Sequence, residues 1–581
     1  MDSKLLQRVK STPKCDWPVS NKEQSGIGNF LGLYGSEHIA ATEFVIGAAL
    51  VQYGVTATDI IIGLFIGNIM AVLSFTFFCA AIATNTRLTL YSYLRRIMGE
   101  KMQKVYNVVL GLGLSCLAAA GISISATAIR SIFDVPIQLE WYPTSLKFIF
   151  IVLVLGAVII FIAAKGFEGV AKFASTCVPW MISLFFVAFL VTMPQLLEAT
   201  GAASVHSFSD FIHLMNNHVW TGSGSATGSE LGIQHVIGFA WICNLAWHIG
   251  LNDMSILRFA KSYKYGFASS IGMFLGHFCA WIIAGIMGAT AGIILNIPLA
   301  DLDPGEVTFT LLGYTGLIAV VIAGWTTANP TIYRITLSFN VIFNHISREK
   351  LTYIIGSIIT VSACFPGIQD AGSILIYLGL AVEGVGAICI TEHYVFPRLG
   401  YTRYWNHYCN GKGTNWAATL SWALSLVFIF SMILTGTMHQ NLVFIPAFFV
   451  AAGSYTILAS LMGAKASYED KEKAEQEYDV ALLDYVNQLN PIVDEPKVSG
   501  FPLALTRIGF VSLAAFVIGG IACSSGVLEL ESFKTLALSL SLVYFFCNAV
   551  AMAVVYQSRI DPEATEENGE EDIETKIEVQ K

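Results

Sequence analysis

Fourteen runs of about twenty apolar residues follow one another along the chain, each long enough to cross a bilayer core of roughly 30 Å as a helix. They lie near 29–53, 57–82, 103–129, 148–164, 171–193, 233–257, 266–296, 308–333, 351–365, 371–396, 414–437, 441–463, 502–524 and 535–556. Lipid offers no partner to an exposed N–H or C=O, so helices fit these runs and irregular chain does not. With 55% hydrophobic and 13% charged residues, the chain lacks the polar surface that a soluble domain needs. The expected fold class is an all-α polytopic membrane protein. The N-terminus is polar for nearly thirty residues, so no cleavable signal peptide is expected, and the first span serves as its own insertion signal.

Charge tests this map independently. With the N-terminus inside, all of the 32 Lys and Arg except Arg130, Lys147 and Lys534 fall on the inner side, as the positive-inside rule requires. The expectation is a multi-pass cell-membrane protein with both termini in the cytoplasm. The chain divides into a cytoplasmic segment (1–28), a twelve-span core (29–463), a cytoplasmic linker (464–500), a two-span addition (501–557) and an acidic tail (558–581). The last two spans read as a lipid-facing or oligomer-facing addition rather than as part of a transport path. No basic tract suggests nucleic acid, so the expected partners are lipid and a small solute. The eleven cysteines show no disulfide or metal spacing. A GxxxxGK[ST] loop is missing, which argues against an ATP-driven pump. Neither an enzyme's polar catalytic cluster nor a sensor's soluble domain can be found. No cofactor is expected beyond a coupling Na⁺ or H⁺.

Secondary transporters pair inverted halves and bind their solute where helices break near the midplane. Span 1 (LGLYGSEHIAATEFVIGAAL) and span 6 (IGFAWICNLAWHIGLNDMSILRFA) are the candidates for broken helices, both interrupted by glycine and polar groups. Glu37 and His38 are ionisable groups inside a span, which are costly there and usually face a cavity. Glu37 either binds a cationic or donating solute or carries the coupling proton. The alternatives to function are a later start for span 1 and a structural hydrogen bond to a neighbouring helix. Glu43 lies on another face of the same span. In span 6, Trp241, Trp247 and His248 offer aromatic surface for a flat heterocycle or a cation, and Asn244 and Asn252 offer donors and acceptors. Asp253 and Arg258 read as a gate or an ion pair. In span 8, Thr326 and Thr327 are adjacent hydroxyls suited to a hard cation, completed by carbonyls of span 1 from Gly35 to Ile39, with His38 beside them; back-bonding of the threonines to their own helix is the alternative. Asn329 follows them, and Pro330 loosens the helix there. Glu383 is a second interior carboxylate, in span 10.

These segments resemble the nucleobase:cation symporter family of the purine–cytosine permease type. The likeness covers roughly 25–463 and rests on the GxxL-rich first span with its short turn into span 2, on WTTANPTIY at 325–333, and on ITEHYVFPR at 390–398. It implies a five-plus-five inverted-repeat fold with two further core helices, here followed by two extra spans. It also implies Na⁺ or H⁺ symport of a nucleobase, hydantoin, allantoin or related vitamin. By that likeness Thr326 and Thr327 hold the cation, Asn329 lies near the substrate asparagine, and Trp247 lies close to the stacking aromatic. The chain departs from the family pattern in lacking an aromatic in mid span 3, in the longer Asp253–Arg258 spacing, and in the interior charges Glu37, His38 and Glu383. Those charges point toward a cationic or strongly donating solute, and a charged amine or amino-acid-like metabolite is the alternative cargo. A channel is the remaining option.

Overall fold

A computed structural model describes residues 3–222, 231–489 and 500–563, so most of the acidic tail lies outside the described residues. Among the described residues, ten helices are long and apolar enough to cross a membrane. The other four expected spans depart from that form for visible reasons. Spans 1 and 6 are broken. Span 8 runs Tyr314–Asn340 and carries Thr326, Thr327, Asn329 and Arg334. Span 9, Arg348–Ala363, has only 16 residues.

Span 1 consists of Ile27–His38 and Ala41–Val51. The break falls at Ile39 and Ala40, both in extended or near-extended conformation, rather than at the glycines. A Cβ on Gly35 would meet Val178 at 2.9 Å, and one on Gly32 would meet the Ser175 Cα at 3.2 Å. Those glycines therefore let span 1 press on span 5 (Gly166–Thr200), which is a packing role. Span 6 consists of Ile233–Ile242, Leu245–His248 and Met254–Leu257. It unwinds around Leu251, whose φ is 61°.

The neighbour relations repeat between spans 1–5 and spans 6–10. The Ala41–Val51 half of span 1 packs on span 7 as Ile233–Ile242 of span 6 packs on span 2. Span 3 (Glu100–Ile132) packs along span 8, and span 4 (Leu146–Ala164) along span 9. The Ile27–His38 half meets span 5 as Leu245–His248 meets span 10. Spans 2 and 7, equivalent in this scheme, each contain a π-helical segment, at Phe75–Ala80 and Gly272–Ala280.

Three sequence-based boundaries change. The expected span 8 (308–333) straddles two helices, because Asp303 caps a separate short helix Pro304–Leu312 that ends at Gly313 with φ 61°. The stretch between the expected fifth and sixth spans contains the helix Phe208–His218, started by a Ser207/Asp210 capping box. The linker is more than a spacer. Its helix Glu469–Leu489 buries Tyr478, Leu482 and Val486, a stripe at helical spacing, against Val9 of the N-terminal helix Ser3–Lys10. Arg8 of the N-terminal helix binds Glu475, and Arg96, from the separate helix Leu90–Met98, binds Asp479 and Glu475. The final two spans, Phe501–Ser524 and Leu530–Glu563, dock on span 5, where Trp180 Nε1 donates to Ser541 Oγ at 3.0 Å and Tyr544 donates to the Thr176 carbonyl. Their far sides, including Val511, Ile518 and Phe546, are exposed apolar surface.

Candidate functional site

The break in span 1 frees backbone carbonyls, and span 8 comes up against them. Thr327 Oγ1 donates toward the Glu37 carbonyl at 3.4 Å and toward the Ala323 carbonyl at 3.0 Å; Thr326 Oγ1 donates to the same Ala323 carbonyl at 3.0 Å. Both threonines thus back-bond to the Ala323 carbonyl of their own helix, as the alternative reading expected, while Thr327 also faces the Glu37 carbonyl of span 1, and both are buried. The span 1 carbonyl in this group is that of Glu37. The Gly35 carbonyl instead accepts the Ile39 N–H at 3.1 Å, so it closes the helix end.

The Glu37 side chain turns away from this group to Arg334. Its two oxygens take the guanidinium at 2.6 and 2.9 Å, and Arg334 Nη2 also reaches Asp253 Oδ1 at 2.5 Å. Tyr34 donates to the other Asp253 oxygen at 2.7 Å, and Tyr91 donates to Asn252 Oδ1 at 2.6 Å. Spans 1, 6 and 8 are tied at one point by one guanidinium and two carboxylates, all buried. The expected Asp253–Arg258 pairing does not form: the Arg258 guanidinium lies over the Phe259 ring. Charge counting alone had put Arg334 at the inner edge, but it is fully buried. No local pattern marks it, because its partner Glu37 lies 297 residues away.

The remaining residues divide by whether their polar atoms are engaged. Trp241 packs outward, donating to Ser74 Oγ at 3.2 Å with its ring edge-on to Phe444. The His248 Nε2 meets the Trp241 carbonyl at 3.0 Å, while its Nδ1 has no partner among the described residues. Trp247 Nε1, both amide atoms of Asn329 and both carboxylate oxygens of Glu383 are likewise buried without a partner among the described residues. Around Glu383, a Cβ on Gly379 would meet Leu245 and one on Gly386 would meet Gly250, so span 10 presses its glycines on the unwound stretch of span 6. Asn244 is engaged with His277 of span 7 at 3.0 Å. His38 stacks on Tyr34 and meets His277 edge-on. His277 carried no signal in the sequence, where a lone histidine in an apolar run looks like a core residue.

Beyond the break, on the side away from the linker helix, a cavity of about 380 Å³ opens between spans 1, 3 and 7. It is lined by Phe44, Ala48, Thr127, Arg130, Gly288 and Asp303 among others. Arg130 is held there by Asp303 and Glu306.

This architecture has solved counterparts. Mhp1, described as a nucleobase-cation-symport-1 family transporter, in a closed conformation with bromovinylhydantoin bound, superposes with a TM-score of 0.61, covering 82% of this chain and 99% of its own at 15% identity. The chain has the five-plus-five inverted-repeat transporter fold. The inward-facing conformation of Mhp1 gives a TM-score of 0.58 at 14% identity, covering 80% of this chain and 96% of its own. A Na⁺-coupled sialic acid symporter, in a substrate-bound outward-open state, gives 0.53 at 13% identity, covering 79% and 94%. No protein-family model and no curated protein matches the sequence. The chain is a membrane protein of this fold, rich in apolar helices and with broken first and sixth spans.

Proposed function

We propose that the chain is a secondary active transporter of the nucleobase:cation symporter kind, importing a small nitrogen-containing solute with Na⁺ or H⁺ by alternating access. The observation that carries this reading is the meeting of Thr327 with the Glu37 carbonyl at the break of span 1. Ala323, Thr326, Thr327 and Glu37 supply four oxygens at one place, a ligand set that suits a hard monovalent cation. The broken helices supply the dipole ends that such sites use. Two residues on from Thr327, Asn329 keeps a donor and an acceptor unpaired among the described residues, and Trp247 of span 6 keeps an unpaired donor. A solute presenting an adjacent N–H and C=O, as nucleobases and hydantoins do, satisfies an amide side chain on both atoms, and a buried amide left unpaired is costly. The charge asymmetry puts the linker helix and the termini in the cytoplasm. In this reading Glu37 serves the closure on that side, through Arg334, rather than the solute.

A second cargo has its own support. Glu383 is buried with neither oxygen hydrogen-bonded among the described residues, and an ammonium group would answer that unpaired carboxylate. Uptake into proteoliposomes separates the two, with uracil, cytosine, hydantoin, allantoin and thiamine set against simple amines and amino acids. Accumulation of a heterocycle under a cation gradient is the expected result. Thr327→Ala then raises the cation concentration needed for half-maximal uptake. Unchanged cation dependence in that variant removes the four-oxygen site, and accumulation of none of the panel under either gradient removes the transporter reading.

A further inference from the structure

Span 7 brings a third ionisable side chain into the broken region. His277 sits in the π-helical segment Gly272–Ala280, a geometry found mostly as short insertions at functional sites. Two glycines of that segment allow it to touch the break. A Cβ at Gly276 would collide with the His38 carbonyl oxygen, and one at Gly272 would collide with the His38 ring. Span 7 therefore lies directly on the residue where span 1 stops being helical. The widened turn points His277 at His38, with ring centroids 4.9 Å apart, and at Glu43, with Nε2 to Oε1 at 3.8 Å.

Glu43, His277 and His38 are each at most 4% exposed. Glu43 also accepts from Trp281 Nε1 and from Thr42 Oγ1. The Trp281 ring stacks on His277 at 4.3 Å. No Lys or Arg pairs with Glu43 among the described residues. The groups facing the cluster from neighbouring elements are Cys243 and Asn244 of span 6 toward Glu43 and His277, and His248, Asp253 and Arg334 toward His38. The permanent charges among these already belong to the Arg334 pairings. An ionised carboxylate buried without a counter-charge is costly, so the charge on Glu43 must be met by a proton, either on its own oxygen or on the imidazole beside it.

The hydrogen bonds orient that proton. Asn244 Nδ2 donates to His277 Nδ1 at 3.0 Å, which leaves the hydrogen of the neutral ring on Nε2, the atom that faces Glu43. The second histidine stands behind the first, its Nε2 without a partner among the described residues. Phe44 and Val45, the residues after Glu43, line the cavity of about 380 Å³ on the side away from the linker helix. On the other side, Tyr34 stacks on His38 and donates to Asp253. Ionisable groups thus follow one another from beside the cavity to the Arg334 pairings.

We propose that Glu43 and His277 form a proton-binding site, separate from the four-oxygen group on span 8, through which the transport cycle is coupled to protons. Glu43 takes up one proton at Oε1 from the cavity side and releases it from the same oxygen, while the Nε2–H of His277 faces that oxygen and favours the carboxylate form. The carboxylate becomes the neutral acid and is then regenerated, with no other change of charge in the cluster. This rests on the transporter reading for its coupling but not for its titration.

The test separates the two. Infrared difference spectra of the purified full chain, titrated between about pH 5 and pH 9, report the C=O stretch of protonated carboxyls without any solute. The wild-type chain is expected to show a titrating band that is missing in Glu43→Gln. His277→Gln shifts its midpoint by about one pH unit or more. Trp281→Phe removes a donor to the carboxylate and raises the midpoint, a milder change that serves if Glu43→Gln does not fold. Carboxyl spectra identical in wild type and Glu43→Gln, or a midpoint unmoved by both His277→Gln and Trp281→Phe, overturn the site. In proteoliposomes, uptake of whichever panel solute accumulates is expected to follow an imposed pH gradient and to lose that dependence in Glu43→Gln. Uptake driven by Na⁺ alone, with no proton movement, overturns the coupling while leaving the transporter reading intact. Accumulation of no solute overturns that reading, and the solute-free titration still decides the site.

Discussion

Each end of the helical core holds one arginine between two carboxylates, and the two assemblies differ in how much water reaches them. On the linker side, Arg334 of span 8 grips Glu37 and Asp253, with side-chain exposures of 0%, 4% and 0%. On the opposite side, Arg130 of span 3, the repeat-equivalent helix, grips Asp303 and Glu306, with exposures of 5%, 10% and 33%, beside the cavity of about 380 Å³. The charge inventory is the same, one positive and two negative. Near the cavity, water can screen the surplus negative charge. In the dry assembly only the guanidinium and the hydroxyl of Tyr34 answer it among the described residues. The linker side is therefore closed by bonds that are strong only while all partners are present, and the other side by bonds that a solvated surface can exchange. In the proposed transport cycle, access from the cavity side with the linker side sealed is one half of the alternation.

Removing the dry guanidinium gives the largest expected effect. Arg334→Met strands two buried carboxylates and lowers stability by about 3–5 kcal/mol, read by thermal unfolding of the purified chain in detergent. Combining it with Glu37→Gln and Asp253→Asn recovers most of that loss, because no buried charge is then left uncompensated. Arg130→Met costs about 1.5–3 kcal/mol, since Glu306 still reaches water. Equal losses in the two single variants would break the comparison.

The smallest effect belongs to a third set of charges, in the linker contact. Burial pushes Glu475 upward, but His407, Arg8 and Arg96 together outweigh it and hold the carboxyl at about 2, against an ordinary value of 4.5. A depressed value means that the contribution is fully present above about pH 4.5 and fades as pH falls toward about 2. Glu475→Gln costs below about 1 kcal/mol near neutral pH, because Arg8 is substantially exposed. The difference from wild type disappears in acid, and added salt shrinks it. A loss that persists undiminished in acid would show that packing of the linker helix, not its charge, holds the two segments together.

The overall plan was open to reading because it depends on local facts. Apolar runs near span length, the scarcity of Lys and Arg on one side, and the Thr326–Thr327 step are visible in short windows. So were the interruptions of spans 1 and 6, although their causes were not. Gly32 and Gly35 are small because span 5 crosses there. The actual break at Ile39–Ala40 contains no glycine and no proline, and it is held by Thr327, Gly272 and Gly276 from other helices. Trp241 looked as suitable as Trp247 for a solute, yet Ser74 and Phe444 claim it.

Composition and periodicity therefore determined, unaided, that this chain is an all-helical membrane protein and which two helices were candidates to interrupt. Only the tertiary structure decided which buried charges meet, as in Glu37 with Arg334 and Glu43 with His277. The physical reason is that a helix sets spacing only along its own axis. Contacts at 2.6 Å between residues 297 apart depend on how several helices cross, which glycines let them approach, and where a π turn rotates a side chain.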